Sequence, residues 1–201
     1  MPDGRRNTTG EEAEQVLRIQ EVPTGEIAHW YPALQTDFDE RELLSRRAIQ
    51  KAVKRGEQEF LLFVDEYTGI PQGYALCCIR NVYGYVLLKY FGILSWFRGK
   101  GVGVEAMRLL NRRYAEKQGI LAELTVFDDD ENGEYLRKLK RFFARFGYEE
   151  VPCNIRIGGA KVILTAKPLK GTAEIAPVAR RILADFYSRC LRPAEMEKML
   201  R

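Results

Sequence analysis

The residues with the clearest chemical meaning lie between Arg98 and Gly103, where the sequence reads Arg-Gly-Lys-Gly-Val-Gly. An apolar strand pattern precedes this segment, and a helical pattern from Val102 to about Lys117 follows it. Glycines have no Cβ, so a ligand can approach the backbone of this turn closely. The N–H groups of the first helical turn face such a ligand, and the helix dipole favours a negative charge there. With the cations Arg98 and Lys100, the segment predicts a binding site for phosphate or pyrophosphate.

Two other phosphate-binding motifs, and a simple joining turn, are the alternatives for this segment. A P-loop needs Ser or Thr after its Gly-Lys pair to hold Mg²⁺, whereas Gly101 follows Lys100 here. The dinucleotide fingerprint G-x-G-x-x-A is matched from Gly101 to Ala106, with Glu123 at the distance of a ribose-binding acid. That fingerprint directly follows its strand in a series of alternating strands and helices. Here it comes at mid-chain after consecutive strand patterns, so it remains the weaker alternative.

Arg98–Gly103 also matches the Gln/Arg-x-x-Gly-x-Gly/Ala motif with which GNAT acetyltransferases bind the pyrophosphate of acetyl-coenzyme A. The preceding segment, Phe91–Arg98, resembles the end of the family's strand four. A second segment, Phe142–Tyr148, is similar to the family's Phe-Tyr-x-x-x-Gly-Phe signature and lies at the usual distance downstream. The resemblance covers roughly Leu17–Lys167, and the chain is identified as a member of this superfamily.

The resemblance implies an α/β fold with a mixed, mostly antiparallel central sheet that is splayed at strands 4 and 5 and flanked by helices. It implies acetyl-CoA as cosubstrate, no metal, and an amine of a small molecule or peptide as acceptor. It also assigns Gly92 to a bulge in strand four, where the pantetheine arm pairs with the free strand edge. The coenzyme contacts that it implies are Phe91, Gly92, Ile93, Arg98, Gly99, Lys100, Gly101, Val102, Gly103 and Phe143.

Acetyl transfer needs an N–H donor aimed at the thioester oxygen and a proton for the departing thiolate. In the family the strand-four backbone supplies the donor, which corresponds to about Phe91–Ile93. The usual acid is a tyrosine, but Phe143 stands at its position, and Leu136 replaces an asparagine that is often found seven residues earlier. Either no strong acid is needed, or another side chain replaces it, or the protein binds coenzyme A without turnover. The candidate replacements are Tyr135, Tyr90, Tyr148 and Cys153, of which we choose Tyr135.

The general base is a separate question. Strand four has Lys89 where several relatives carry a glutamate. Glu123, in strand five, is the best carboxylate by location, although a mid-strand glutamate is more often exposed or paired with a cation. An ordered water could also remove the proton. The candidate catalytic residues are therefore Glu123 and Tyr135.

Composition limits the remaining function classes. The chain has 201 residues, 46% hydrophobic and 30% charged, with a net charge of +4. Such a charge is too small to indicate nucleic-acid binding, and we find neither a signal-peptide pattern nor an apolar run of about 18 residues. The four cysteines lack metal-ligand spacing, and there is one histidine. We expect a cytoplasmic protein without nucleic-acid or membrane partners, as a monomer or homodimer.

The order of elements predicts a polar, mobile segment over 1–14, an acyltransferase domain over 15–170 and a helical extension over 171–201. One helix is expected over Asp37–Arg55, capped by Thr36 or Asp37 and stopped by Gly56, with His29–Pro32 as a loop before it. The apolar face of a last helix, Ile175–Cys190, packs on the sheet or, less favoured, on a second subunit. The predicted strands are Leu17–Val22, Glu59–Asp65, Gly73–Asn81, Tyr85–Leu94, Ile120–Phe127, Glu149–Ile157 and Lys161–Lys167.

Overall fold

The computed structural model describes residues 16–126, 131–153, 155–157, 160–170 and 175–190. The predicted mobile segment 1–14 lies outside these residues. The strands are β1 (Leu17–Glu21), β2 (Gln58–Asp65), β3 (Pro71–Cys78), β4 (Tyr85–Ile93), β5 (Gly119–Val126), β6 (Glu149–Glu150), β7 (Ile155–Ile157) and β8 (Ala160–Pro168). The helices are α1 (Ile27–Asp37), α2 (Arg46–Lys54), α3 (Val102–Arg113), α4 (Glu131–Ala144) and α5 (Ala179–Cys190).

The strands form one sheet in the order β1-β2-β3-β4-β5-β8-β6, and β7 also pairs with β8. The pairing of β4 with β5 is parallel, whereas the other pairs are antiparallel. Helix α3 connects the two parallel strands, as such a connection requires a crossover. The predicted fold class, a mixed and mostly antiparallel sheet flanked by helices, is confirmed.

The parallel pair β4–β5 is joined over only part of its length. Its register runs from Tyr85 opposite Gly119 to Leu88 opposite Ala122. Beyond this point β4 stays paired with β3 as far as Ile93, and β5 stays paired with β8 up to Val126. The carboxyl-terminal halves of β4 and β5 therefore diverge and leave a gap between them, which is the splay that was expected.

The bulge in β4 lies at Lys89, and its predicted position at Gly92 is wrong. On β3, Leu76 is opposite Tyr90 while its neighbour Cys77 is opposite Leu88, so Lys89 is the additional residue. A bulge turns two consecutive side chains to the same face of a sheet. Lys89 accordingly reaches α5, and Tyr90 packs in the core under α1 and α2 on that same face.

The core has two faces, one on each side of the sheet. Helices α3 and α4 cover one face, where Met107 and Phe143 pack on β2, β3, β4 and β5. Helices α1, α2 and α5 cover the other face. The apolar stripe of α5 (Ile182, Leu183, Phe186 and Tyr187) is buried against β4, β5 and β8, so it packs within the chain. No helix in the described part of the chain is long and apolar enough to cross a membrane.

The single helix predicted over Asp37–Arg55 and the loop predicted at His29–Pro32 are both wrong, because α1 covers His29–Pro32 and ends at Asp37, and the next helix, α2, begins only at Arg46. Helix α1 begins ten residues earlier than predicted and runs through Pro32, while its buried Ile27 and Leu34 hold it on the core. A proline inside a helix removes one hydrogen bond, which this packing offsets. Residues 38–45 are not helical, and Ser45 caps α2 by accepting the Ala48 N–H at 3.3 Å. The predicted stop at Gly56 is correct, with φ +65°.

Candidate active site

The anion loop, which we define as residues Arg98–Gly103, connects the end of β4 to the start of α3. Gly99 and Gly101 have φ values of +77° and +81°, a region that L side chains rarely adopt. A Cβ added at either glycine would meet no atom within 4 Å, so the space beside the loop is open. In the described part of the chain, no backbone acceptor takes the N–H groups of Gly101, Val102 and Gly103. The loop therefore presents several donors to a ligand at the positive end of a helix.

The two predicted cations of the anion loop differ in their contacts. Arg98 turns back into the protein: its Nη2 lies 2.7 Å from Asp37 Oδ1 and its Nε lies 2.8 Å from the carbonyl oxygen of Ile93. Lys100 lies with its Nζ 5.9 Å from the centre of the Phe97 ring. Lys100 is thus the cation that remains beside the loop, while Arg98 forms an ion pair with α1.

The end of β4 exposes backbone donors to the gap. The N–H of Leu94 donates to Gln72 on the β3 side at 2.9 Å. Because backbone groups of an antiparallel strand alternate between its two edges, Gly92 also faces β3, and the N–H groups of Phe91 and Ile93 face the gap that β5 has left. We call these residues, Phe91–Ile93, the free edge. Donors placed there can stabilise negative charge on a carbonyl oxygen.

Gly92 makes room for an aromatic ring. Tyr74 lies directly opposite on β3, and a Cβ added to Gly92 would come within 2.5 Å of Tyr74 Cζ and 2.9 Å of Asp37 Oδ2. The Tyr74 hydroxyl donates to Asp37 Oδ2 at 2.6 Å and lies 3.2 Å from the carbonyl oxygen of Ala33. Burial and the neighbouring carboxylate raise the pKa of Tyr74, so its hydroxyl remains a donor.

Residues 38–45, which we call the bridging segment, contact both sides of the gap. The Tyr90 hydroxyl donates to the Glu42 carbonyl oxygen at 2.8 Å and accepts the Leu44 N–H at 2.7 Å. On the other side, the Thr125 hydroxyl donates to the Glu42 carboxylate. Burial raises the pKa of Tyr90, which keeps its hydroxyl protonated. The bridging segment, which connects α1 to α2, is thereby hydrogen-bonded to both β4 and β5.

Tyr135, one of the two candidate catalytic residues, lies on α4 with 62% of its surface exposed. The charges of Arg98, Asp37 and Glu42 act on its hydroxyl. Partial burial raises the pKa of Tyr135. A catalytic role for Tyr135 stays a prediction.

Glu123, the other candidate, lies in a buried ion pair. Its Oε2 is 2.7 Å from Lys89 Nζ, and the Tyr187 hydroxyl lies 2.6 Å from Oε2 and 2.8 Å from Lys89 Nζ. The side chains of Lys89 and Glu123 are 3% and 2% exposed. Burial alone lowers the pKa of Lys89, but the Glu123 carboxylate raises it well above the ordinary value, so the ammonium stays charged. A base role for Glu123 stays a prediction, and its carboxylate is already bonded to Lys89 and Tyr187.

Phe143 and its neighbour Phe142 take different places. Phe143 is buried with its ring edge on Tyr148, at 5.1 Å between centroids. Phe142 stacks on Phe91 at 5.9 Å and lies 3.6 Å from the position of a Cβ on Gly103. Phe142 is thus the ring beside the anion loop and the free edge, whereas a coenzyme contact of Phe143 stays a prediction.

Sequence reasoning missed Asp37, Glu42 and Tyr74 as parts of this site. The first two fell in or at the edge of a helix that does not exist as predicted, and the pairing of Tyr74 with Gly92 depends on register. The ion pair of Lys89 with Glu123 could have been predicted, because a lysine in an apolar strand needs a buried partner of opposite charge. In the described residues, no group of three or more His, Cys, Asp or Glu side chains could hold a metal.

The split parallel pair, the free edge and the anion loop at its end define an α/β fold of the acyltransferase class. Residues 25–148 match the family model "Acetyltransferase (GNAT) family", and the chain belongs to that family. No curated protein matches the sequence.

Solved structures of the family share this fold at low sequence identity. A Bacteroides thetaiotaomicron protein assigned to the GNAT acetyltransferases has a TM-score of 0.67 at 14% identity, over 85% of this chain and 96% of its own. Mutant forms of the spermidine/spermine N-acetyltransferase SpeG from Vibrio cholerae give 0.57 at 14%, over 76% and 94%. Arabidopsis thaliana NAA60, in complex with a bisubstrate analogue, gives 0.58 at 11%, over 78% and 100%.

Proposed function

We propose that this protein transfers an acetyl group from acetyl-CoA to the amino group of a small molecule or peptide. One arrangement carries the proposal: the free edge, Phe91–Ile93, is followed, after a short turn over Leu94–Phe97, by the anion loop. Acetyl-CoA has a thioester at one end and a pyrophosphate further along, so it needs donors at both places. The N–H groups of the free edge suit the thioester oxygen, and those of Gly101, Val102 and Gly103, with Lys100, suit the pyrophosphate.

The reaction can be written with this chain's own groups. The amine nitrogen attacks the thioester carbonyl carbon, so an N–C bond forms and the C–S bond breaks. The N–H groups of Phe91 and Ile93 stabilise the charge that develops on the carbonyl oxygen. In this proposal the Tyr135 hydroxyl gives its proton to the departing thiolate and regains one from water.

The proton lost by the amine passes to a carboxylate or to water. Glu123 can accept it only by giving up the ammonium of Lys89, to which it is bonded at 2.7 Å. Asp37 and Glu42 are the other carboxylates at this site: Asp37 Oδ2 lies 2.9 Å from the position of a Cβ on Gly92, and the Glu42 carboxylate accepts a hydrogen bond from Thr125. The geometry therefore favours these two over Glu123.

The test is amine-dependent release of free thiol from acetyl-CoA. The relatives named above include a spermidine/spermine N-acetyltransferase. A suitable panel is therefore spermidine, n-butylamine and a lysine-containing peptide with a free N-terminus, with acetyl-CoA alone as the background. We expect thiol release above background with at least one amine, together with the N-acetylated product by mass spectrometry.

The second candidate is a coenzyme-A-binding protein without turnover. The observation that favours it is Phe143, which stands where the family commonly has its acid and is buried in the core. Calorimetric binding of coenzyme A without thiol release from any amine of the panel would select this candidate. Absence of both binding and turnover would contradict both candidates.

A further inference from the structure

Asp37 is the residue through which α1 contacts the anion loop and the free edge. It is the last residue of α1, and its carboxylate accepts hydrogen bonds from Arg98 Nη2 at 2.7 Å and from the Tyr74 hydroxyl at 2.6 Å. Its Oδ2 lies 2.9 Å from the position of a Cβ on Gly92, in the middle of the free edge. A single carboxylate thus touches the anion loop through Arg98 and stands directly beside the place where acyl transfer would occur.

The position of Asp37 suits a cation. The carbonyl end of a helix carries partial negative charge, and the carboxylate adds a full one. Helix α1 has no basic residue of its own in the last turn. The cation that now fills this position comes from another element, namely the Arg98 guanidinium.

The pair between Asp37 and Arg98 can be exchanged. The Arg98 side chain is 56% exposed and that of Asp37 is 15% exposed. Ion pairs with so much water contact contribute little stability. A pyrophosphate bound by the anion loop would compete strongly for this guanidinium, because arginine binds phosphate oxygens through two parallel hydrogen bonds.

We propose that Arg98 holds the acceptor position until the pyrophosphate of coenzyme A draws it away, and that Asp37 then binds the ammonium group of a cationic amine. This inference rests on the proposed acyl transfer. The ammonium transfers one proton to the Asp37 carboxylate, which returns it to water, and the neutral amine attacks the thioester. As the C–S bond breaks, the nitrogen loses its second proton to the same carboxylate or to water, and the Tyr135 hydroxyl protonates the thiolate.

The arrangement gives an order of binding. Before coenzyme A binds, the amine site is occupied by a side chain of the protein itself. After it binds, the site is empty, negative and adjacent to Phe91–Ile93. The acceptor class is therefore an amine that is protonated in solution, because a neutral nucleophile such as an alcohol gains no charge attraction from Asp37.

The first arm of the test measures coenzyme A itself by calorimetry, in the full chain. Asp37→Asn keeps an acceptor for the Tyr74 hydroxyl but releases Arg98, so we expect binding to tighten roughly two- to fivefold, the value of an exposed ion pair. The matched control is Glu57→Gln, which removes a pair of similar exposure, Arg55 with Glu57 at 2.7 Å, just beyond the end of α2 and outside the site. The control should leave the affinity unchanged. Equal affinity in the wild-type protein and Asp37→Asn overturns the exchange, whatever the activity.

The second arm measures kcat/KM for the fastest acceptor of spermidine, n-butylamine and the lysine-containing peptide. We expect Asp37→Asn to lower it by on the order of 10²-fold, the usual effect of losing a positioned base. The loss should shrink as the pH rises toward the pKa of the amine, because a neutral amine needs no base. Full activity in Asp37→Asn, with a working wild-type enzyme, overturns the role of Asp37 and leaves acyl transfer intact. If no amine reacts with the wild-type protein, acyl transfer fails, and the calorimetric arm alone decides the exchange.

Discussion

At the scale of single residues, Gly92 shows how closely the site is packed. We expect Gly92→Ala to destabilise the protein by about 1–3 kcal/mol, because the new methyl group would overlap the fully buried Tyr74 ring and nothing beside it can yield easily. Chemical denaturation measures the loss. The control is Gly25→Ala, where a Cβ meets no atom within 4 Å and the φ is ordinary. Equal stability of the two variants would contradict the packing described for Tyr74.

A second residue-scale prediction concerns the proton for the thiolate. We expect Tyr135→Phe to lower kcat by up to about 10²-fold and to leave coenzyme A affinity unchanged, because only the hydroxyl is removed. Phe143→Tyr is the companion variant. The Phe143 ring packs on Tyr148 in the core, so a hydroxyl added to this ring would not reach the thiolate, and we expect no gain in kcat. A higher kcat in Phe143→Tyr, together with full activity in Tyr135→Phe, would show that the general acid acts from position 143, as is usual in the family, and not from Tyr135.

At the scale of elements, the anion loop depends on a left-handed residue at the start of α3. Gly101→Ala forces a Cβ into φ +81°, and we expect it to weaken coenzyme A binding by roughly 1–3 kcal/mol through displaced N–H donors. Calorimetry measures this loss. Gly56→Ala, at φ +65° and equally free of neighbours, introduces similar strain at the end of α2, far along the chain from the loop. Gly56→Ala should lower the stability of the protein without weakening coenzyme A binding. A similar loss of coenzyme A affinity in Gly56→Ala would contradict the role of the anion loop.

The elements also show which features the sequence predicts and which it does not. Strands β2, β4 and β5 and the start of α3 follow from local patterns of apolar residues and glycines, and so does the anion loop. The break between α1 and α2 does not, because the packing of Ile27 and Leu34 overrides the signal of Pro32. The bulge at Lys89 and the partner of Arg98 depend on register and on contacts between distant segments, which no local pattern encodes.

At the scale of the whole molecule, the buried pair of Lys89 and Glu123, with Tyr187, joins β4, β5 and α5 at the point where the sheet divides. We expect Lys89→Met to cost about 3–5 kcal/mol, because it leaves Glu123 buried without its cation. The double variant Lys89→Met with Glu123→Leu should recover much of that loss. Thermal or urea unfolding measures both variants. Wild-type stability in Lys89→Met alone would contradict the pairing.

The same pair predicts a pH dependence with a definite sign. The folded-state pKa of Lys89 lies above the ordinary 10.5, so its contribution is complete below that pH and declines as the pH rises toward the folded value. We therefore expect the wild-type protein to lose its advantage over Lys89→Met above pH 10.5. A constant difference through that range would mean that the ammonium is not bound as described.

The free edge has a consequence for hydrogen–deuterium exchange. The amides of Phe91 and Ile93 face the gap, while those of Gly92 and Leu94 belong to the β3 side of the same strand. Fast and slow deuterium uptake should therefore alternate residue by residue along the end of β4, a pattern that NMR resolves. A ligand lying along this edge would remove the alternation by slowing the two fast amides. The strand thus reports occupancy through its own amides, for any compound that lies along this edge and without any need for turnover.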